Sequence, residues 1–249
     1  MVPSRAPVEH HCHLSEKELG AFWRKLDDQG AHITTIAATR LLLLAMTRKS
    51  ELLRSKWPDF DLDGAQWDLP AERMKMGQPH RVFLSSQAVD VLREVHKWTG
   101  HREYVFPSIF RGSVPMGDVT LNHFFKRIDF GVPDFSPHGT RGTAATLLRE
   151  HGFGRDVVER LLAHSEKNAT VAAYSPMDLA ADRKRALQYL ADRVEELAAG
   201  SMVIPLRAAG ELAGQRRKLK PGVTVIGLAG TAWTPLNLRA TTTGYDVKS

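Results

Sequence analysis

Arg48, His138, Arg141, His164 and Tyr174 follow one another in this order along the chain, and their types suit one reaction, attack on a phosphodiester by a phenolic oxygen. A phosphodiester resists nucleophiles because it is already negative. Its transition state is a five-coordinate phosphorus with charge on the non-bridging oxygens. Arginine meets that charge with a planar fork of donors that never loses its own. Two arginines far apart in sequence, Arg48 and Arg141, could clamp the phosphate from two sides. Preorganised donors of this kind are typically worth about 3–4 kcal/mol each. His138 and His164 could donate as neutral imidazoles or shuttle protons near pH 7. Tyr174 would be the nucleophile and form a covalent phosphotyrosine link. Lys75, in a polar stretch between two short strand-like segments, could protonate the departing sugar oxygen. No cofactor and no metal are expected, because the guanidinium groups take a metal's electrostatic role.

The chain that must position these groups has 249 residues, room for one large domain or one domain plus an appendage. No apolar run approaches the roughly 20 residues of a bilayer span, and no signal peptide is visible. A single cysteine, Cys12, excludes an internal disulfide and fits a reducing cytoplasm. The net charge is +6, but from Arg207 onward seven Lys/Arg face two acids, which places +5 in that stretch and +1 in the body. Bulk charge therefore argues little for nucleic acid; particular cations must carry that case.

Residues 1 to 13 read as a linker. Ser15 and Glu18 form a capping box for a first helix, along which Leu19, Phe22, Trp23 and Leu26 fall at helical spacing. Thr34 to Leu44 is a helix apolar on most faces, hence buried. Lys49 to Ser55 adds a further turn that sets Glu51 three residues from Arg48. Gln66 to Pro70 and Arg81 to Leu84 alternate like strands, with Gly77 and Pro79 in the loop between them. Helices are predicted over Ser86–Trp98, Leu121–Ile128, His138–Glu150, Asp156–Ala163 and Asp178–Ala198. Beyond Gly200 small residues, glycines and threonines dominate, with one basic cluster over Arg216–Lys220. Trp67 and Trp98 are read as core residues.

With the order of these elements, the sequence resembles the tyrosine recombinase, or phage integrase, family, and within it the integrases of prophages and genomic islands. The likeness is carried by Ala45-Met46-Thr47-Arg48-Lys49-Ser50-Glu51-Leu52, by the hairpin from Pro70 through Met74-Lys75-Met76 to Pro79-His80-Arg81-Val82, and by Gly100 to Pro107. The His138–Arg141 and His164–Tyr174 boxes complete it. It covers residues 9 to 206. The resemblance implies a mainly α fold with a small antiparallel β-sheet (α+β). It implies a catalytic domain over 14–206 and a C-terminal tail of uncertain order over 207–249. It gives Arg48, Lys75, His138, Arg141, His164 and Tyr174 the six active-site roles, and makes Glu51 an orienting partner of Arg48. It implies strand cutting and rejoining through a 3′-phosphotyrosine, with no ATP. The implied partners are a double-stranded DNA attachment site and other copies of the chain, as a tetramer on DNA, with no membrane. The implied location is the bacterial cytoplasm, at the nucleoid.

The sequence departs from the family in three places. The family usually has Thr-Gly at Ala45-Met46, so the turn that presents Arg48 is expected to differ. Ser175-Pro176 follows the tyrosine where a polar-basic pair is usual. Integrases of this type carry arm-binding and core-binding domains first, whereas this sequence opens at the linker. That supports an alternative reading as a truncated, catalytically incompetent prophage remnant that keeps the fold and weak DNA binding. A type IB topoisomerase shares the chemistry but not the boxes. Alone, each residue has a plainer role: His138 and His164 as cap or core histidines, Arg48 as a structural partner of Glu51, Lys75 as a solvated loop lysine, Tyr174 as a packing residue. The His10-His11-Cys12-His13 run is not read as a metal site, because adjacent side chains diverge and no second ligand pair follows.

Overall fold

A computed structural model describes residues 13–74, 77–163 and 179–200. Lys75, the segment with His164 and Tyr174, residues 1–12 and the basic cluster at 216–220 lie outside the described residues. Eight α-helices and three strands are described. They are α1 (Glu16–Lys25), α2 (Ile33–Leu44), α3 (Lys49–Leu53), β1 (Phe60–Asp61), β2 (Gln66–Leu69), β3 (His80–Phe83), α4 (Ser86–Thr99), α5 (Asp118–Arg127), α6 (Gly139–Glu150), α7 (Arg155–Leu161) and α8 (Ala180–Ala198). No helix among the described residues is long and apolar enough to cross a membrane.

The expected capping box is present. The Ser15 backbone N–H donates to Glu18 at 2.8 Å, and the Ser15 hydroxyl accepts from the Glu18 N–H at 3.4 Å, so two end groups of α1 are satisfied. Helix α2 is buried on most of its surface, as its uniform apolarity demands. It lies between two hydrophobic clusters. One gathers Phe22, Phe125 and Phe135 with residues of α6, α7 and α8. The other joins α2 and α3 to the sheet and α4 through Leu42, Leu52, Trp67, Val82 and Leu92. Phe22 meets Phe125, Phe130 and Phe135 with ring centroids 5.1–5.6 Å apart.

The sheet is antiparallel in the order β1-β2-β3, with Leu69 opposite His80 and Trp67 opposite Val82. The hairpin was expected from alternation. β1 was not, because a two-residue strand leaves no period to read. Helix α5 starts at Asp118 rather than Leu121: Gly117 occupies the cap position and Asp118 stands in the first turn, where an acid favours the helix dipole. Trp67 is buried as expected, but Trp98 is 59% exposed. The inward stripe of α4 runs through Ala88, Leu92, Val95 and Thr99, which leaves Trp98 outside it.

Helix α8 is held along its length. Arg193 reaches both Glu16 oxygens at 2.7 and 2.8 Å, and this pairing holds the Glu16 carboxyl below its ordinary value. Arg24 donates to the carbonyls of Leu197 and Ala198 at the far end. Gly20 lets the helices approach: a Cβ there would stand 2.5 Å from the Leu197 carbonyl oxygen. Gly20→Ala is therefore predicted to destabilise the protein by about 1–3 kcal/mol through this backbone clash, despite a helix-propensity gain of at most about 1 kcal/mol. Urea unfolding of the two proteins checks the sign.

A buried guanidinium site

Arg141 is the centre of the site. It stands in the first turn of α6 and is only 5% exposed. Its Nη1 donates to the Met46 carbonyl, and its Nη2 donates to the Leu162 carbonyl at 2.7 Å. Helix α6 is thereby tied to the turn after α2 and to the end of α7. Both acceptors belong to turns with left-handed backbone: Met46 has φ +53° and Ala163, next to Leu162, has φ +49°. A side-chain-bearing residue held there costs about 1–2 kcal/mol. A hydrogen bond from a charged donor returns about 1.5–3 kcal/mol, so each bond is large enough to offset its turn. The usual glycine of the family is replaced by Met46, yet the turn keeps the conformation a glycine would favour.

Arg48 comes two residues after that turn. Its backbone is extended, and it serves as the N-cap residue of α3. Glu51, 3% exposed, accepts from the Arg48 backbone N–H at 2.8 Å and from its Nη1 at 2.7 Å. One carboxylate thus caps the helix and aims the arginine, the orienting role expected of Glu51. The charges of Arg48 and Glu51 both reach Arg141. Burial first, and Arg48 second, lower the Arg141 pKa to about 10, with Glu51 opposing; it stays charged at neutral pH.

His138 is exposed at the N-cap position of α6, and its carbonyl accepts from the Arg141 backbone N–H at 3.2 Å. Of the six expected site residues, the structure brings Arg48 and Arg141 within reach of each other's charge and sets His138 one turn before Arg141. Lys75, His164 and Tyr174 lie outside the described residues. Met74, next to Lys75, is buried, and Leu162, which Arg141 grips, is two residues before His164.

Two further residues join the cluster. His80 opens β3, and its pKa is lowered to about 4 by burial first, then by the charges of Arg183, Arg141 and Arg48. Arg183, in the first turns of α8, is 8% exposed, and burial lowers its pKa to about 10. Neither was expected as a site residue. Arg183 did carry a readable signal: it falls on the apolar stripe of α8 with Leu187, Leu190 and Val194, where a cation is out of place. His80 carried none beyond its place in the hairpin.

Two measurements test this arrangement. Met46 is fully buried, so Met46→Gly loses about 2–4 kcal/mol of packing while relieving about 1–2 kcal/mol of backbone strain. It is predicted to destabilise the protein, but by about 1 kcal/mol less than Met46→Ala, which keeps the strain; denaturant midpoints of the three proteins decide. The second concerns pH. His80 has a folded pKa below its ordinary value of 6.5, so the unfolded chain binds more protons between pH 6.5 and about 4. Its contribution is therefore complete above 6.5 and is lost as pH falls through that window, by at most about 3 kcal/mol. The lowered carboxyls of Glu16, Glu18 and Asp68 act only below about 4.5. His80→Gln is predicted to flatten the stability profile between pH 5 and 6.5, as read by thermal unfolding across that range.

The sequence profile of the phage integrase family matches residues 13–179. The chain is 38% identical over 162 residues to prophage integrase IntA of Escherichia coli (strain K12), covering 65% of this chain and 39% of that protein. It is 30% identical over 207 residues to the integrase of Enterobacteria phage P4, covering 77% and 47%. The chain thus spans less than half the length of these two relatives. Among solved structures it is similar to the Tn1549 transposon integrase in complex with transposon right end DNA, with a TM-score of 0.56, 17% identity, and coverage of 72% of this chain and 66% of that one. The profile match over two thirds of the sequence, on a helical frame with a small antiparallel sheet, places this chain in the phage integrase family.

Proposed function

We propose that this chain is the catalytic part of a site-specific tyrosine recombinase, with residues 14–206 as the catalytic module and 207–249 as a tail. The observation that carries the reading is that the Arg48 charge acts on the buried Arg141, and that among the described residues Glu51 is the one carboxylate paired with either guanidinium. Such a site has an excess of positive charge that an anionic phosphodiester neutralises. The relatives named above are integrases, and the solved Tn1549 integrase is bound to DNA, which supports double-stranded DNA as the substrate.

In this reading Arg48 and Arg141 hold the non-bridging oxygens of the scissile phosphate, with His138 and His164 as further donors. The Tyr174 oxygen bonds to phosphorus as its proton passes to a histidine. The bond from phosphorus to the 5′ oxygen breaks, and that oxygen takes a proton from Lys75. The 3′ phosphate stays on tyrosine until a 5′ hydroxyl of the partner strand attacks and reverses the step, so bond energy is conserved. Exchange between two duplexes calls for several copies of the chain, and a tetramer on DNA is the assembly this reading takes.

A nicked suicide duplex carrying the chain's own attachment site tests the proposal. Wild-type protein is predicted to give a covalent protein–DNA adduct on a denaturing gel. Tyr174→Phe should give none, and Arg141→Lys should slow adduct formation by about 10²–10³-fold, the cost of one misplaced transition-state donor. Well-folded wild-type protein that forms no adduct on its attachment site contradicts the proposal.

A further inference from the structure

The segment between α4 and α5 projects apolar side chains that the fold does not use. Phe110 is 96% exposed and Ile109 58%, and Val114 is exposed a few residues on. Single exposed apolar residues are ordinary, but several together on one projection make a surface that binds something. The projection is a closed loop. At its base the buried Phe106 and Met116 are joined by the Met116 N–H, which donates to the Phe106 carbonyl at 2.7 Å, and Pro107 lies opposite Pro115. Nearer the tip the Ser108 N–H donates to the Val114 carbonyl at 2.8 Å, and the Arg111 N–H donates to the Ser108 hydroxyl at 3.3 Å. Ile109 and Phe110 therefore stand at a tip whose backbone is ordered before anything binds, which lowers the cost of binding.

Charge selects the occupant. Across residues 101–117 Glu103 is the one acid, and Lys56 pairs with it at 2.7 Å. Arg102 and Arg111 are exposed, and neither forms an ion pair among the described residues. The Arg102 guanidinium lies against the loop backbone: a Cβ at Gly112 would stand 2.5 Å from its Nη1. An apolar tip with two arginines beside it is complementary to a polyanion that also offers apolar surface. Duplex DNA is such a molecule, with phosphates for the arginines and sugar and base surface for the ring. Two copies of the chain meeting loop to loop would set these cations against each other.

The loop also leads to the guanidinium site. It enters α5 at Asp118, whose carbonyl accepts from Lys49 Nζ at 3.1 Å, while the Asn122 side chain accepts from the same ammonium at 3.0 Å. Lys49 directly follows Arg48. Phe110 is eight residues from Asp118 in sequence, so the tip lies at most about 30 Å from it. A duplex spans that distance in about nine base pairs.

We propose that the 108–114 loop is a DNA-contacting element of this chain: Phe110 and Ile109 insert against sugar and base surface in a groove of the duplex, and Arg102 and Arg111 hold the flanking phosphates. This rests on the recombinase reading for the choice of duplex, and it adds a contact away from the reacting phosphate.

The test uses the full chain with 4-fluorophenylalanine in place of Phe110, and a fluorescein-labelled duplex carrying the attachment site. Adding the duplex should shift the fluorine resonance saturably. Phe110→Ser should leave the melting temperature unchanged and weaken duplex binding by about 10-fold, a typical loss for one aromatic contact to bases. At saturating duplex its rate of adduct formation should stay within twofold of wild type, because a contact made equally before and during reaction raises affinity alone. Arg102→Gln and Arg111→Gln should each reduce the slope of log affinity against log salt by about one. The proposal is overturned if Phe110→Ser binds the duplex within twofold of wild type, or if the fluorine resonance ignores a duplex that the protein binds. A resonance that moves only with protein concentration, or only with anionic lipid vesicles, overturns it in favour of self-association or a membrane surface. Should wild-type protein form no adduct while the duplex still shifts the resonance and Phe110→Ser still weakens binding, the recombinase reading fails and the DNA contact stands.

Discussion

A single buried charge organises this molecule. The Arg141 guanidinium is removed from water and, among the described residues, meets no carboxylate directly; its two described hydrogen bonds go to the carbonyls of Met46 and Leu162. Burying an ion costs several kcal/mol even after the surroundings relax. Two bonds from a charged donor recover part of that, and Glu51 recovers a little more at a distance. The remainder stays as positive potential in the folded state. An arriving phosphate would be stabilised by donors that need no rearrangement, which is the physical basis of electrostatic preorganisation.

The architecture can be understood as the means of keeping that charge in place. Helix α2, buried on most faces, cannot shift, and the left-handed turn at Met46 delivers both a carbonyl to Arg141 and the chain into Arg48. Glu51 fixes Arg48 with one oxygen on its backbone and one on its side chain. From the other side, α8 is strapped to α1 at the Glu16–Arg193 pair and at the close approach over Gly20, and it sends Arg183 onto β3. The charges of Arg183, Arg141 and Arg48 all bear on His80 at the start of β3, after its burial.

Much of this was legible in the sequence, and the limits have physical reasons. Ser15 and Glu18, the apolar Thr34–Leu44 run and the Val89–Leu92–Val95 stripe announce their helices because the burial pattern repeats with the helical period. The pairing of Arg48 with Glu51 follows from three-residue spacing. β1 and the start of α5 were missed because one depends on tertiary pairing and the other on a cap without a side-chain signal. Trp98 was misread because its size suggested burial while its place on α4 did not. Met46 was expected to alter its turn on the ground that a glycine is usual; bonding to Arg141 and full burial of the side chain overrule the local preference. Arg183 stood out as a cation on the apolar stripe of α8, but its bond to the Arg81 carbonyl of β3 could not be read from spacing, since it joins residues 102 apart in sequence.

The most direct test of the central claim is to see where an anion sits. Crystals of the full chain soaked in tungstate, a phosphate mimic with a strong anomalous signal, would locate it. The account predicts tungstate within hydrogen-bonding distance of the Arg48 and Arg141 guanidiniums, with Arg48 still held by Glu51 and Arg141 still donating to the Met46 and Leu162 carbonyls. Arg48 and Arg141 on separate surfaces, or tungstate bound only elsewhere with this site vacant, would contradict it.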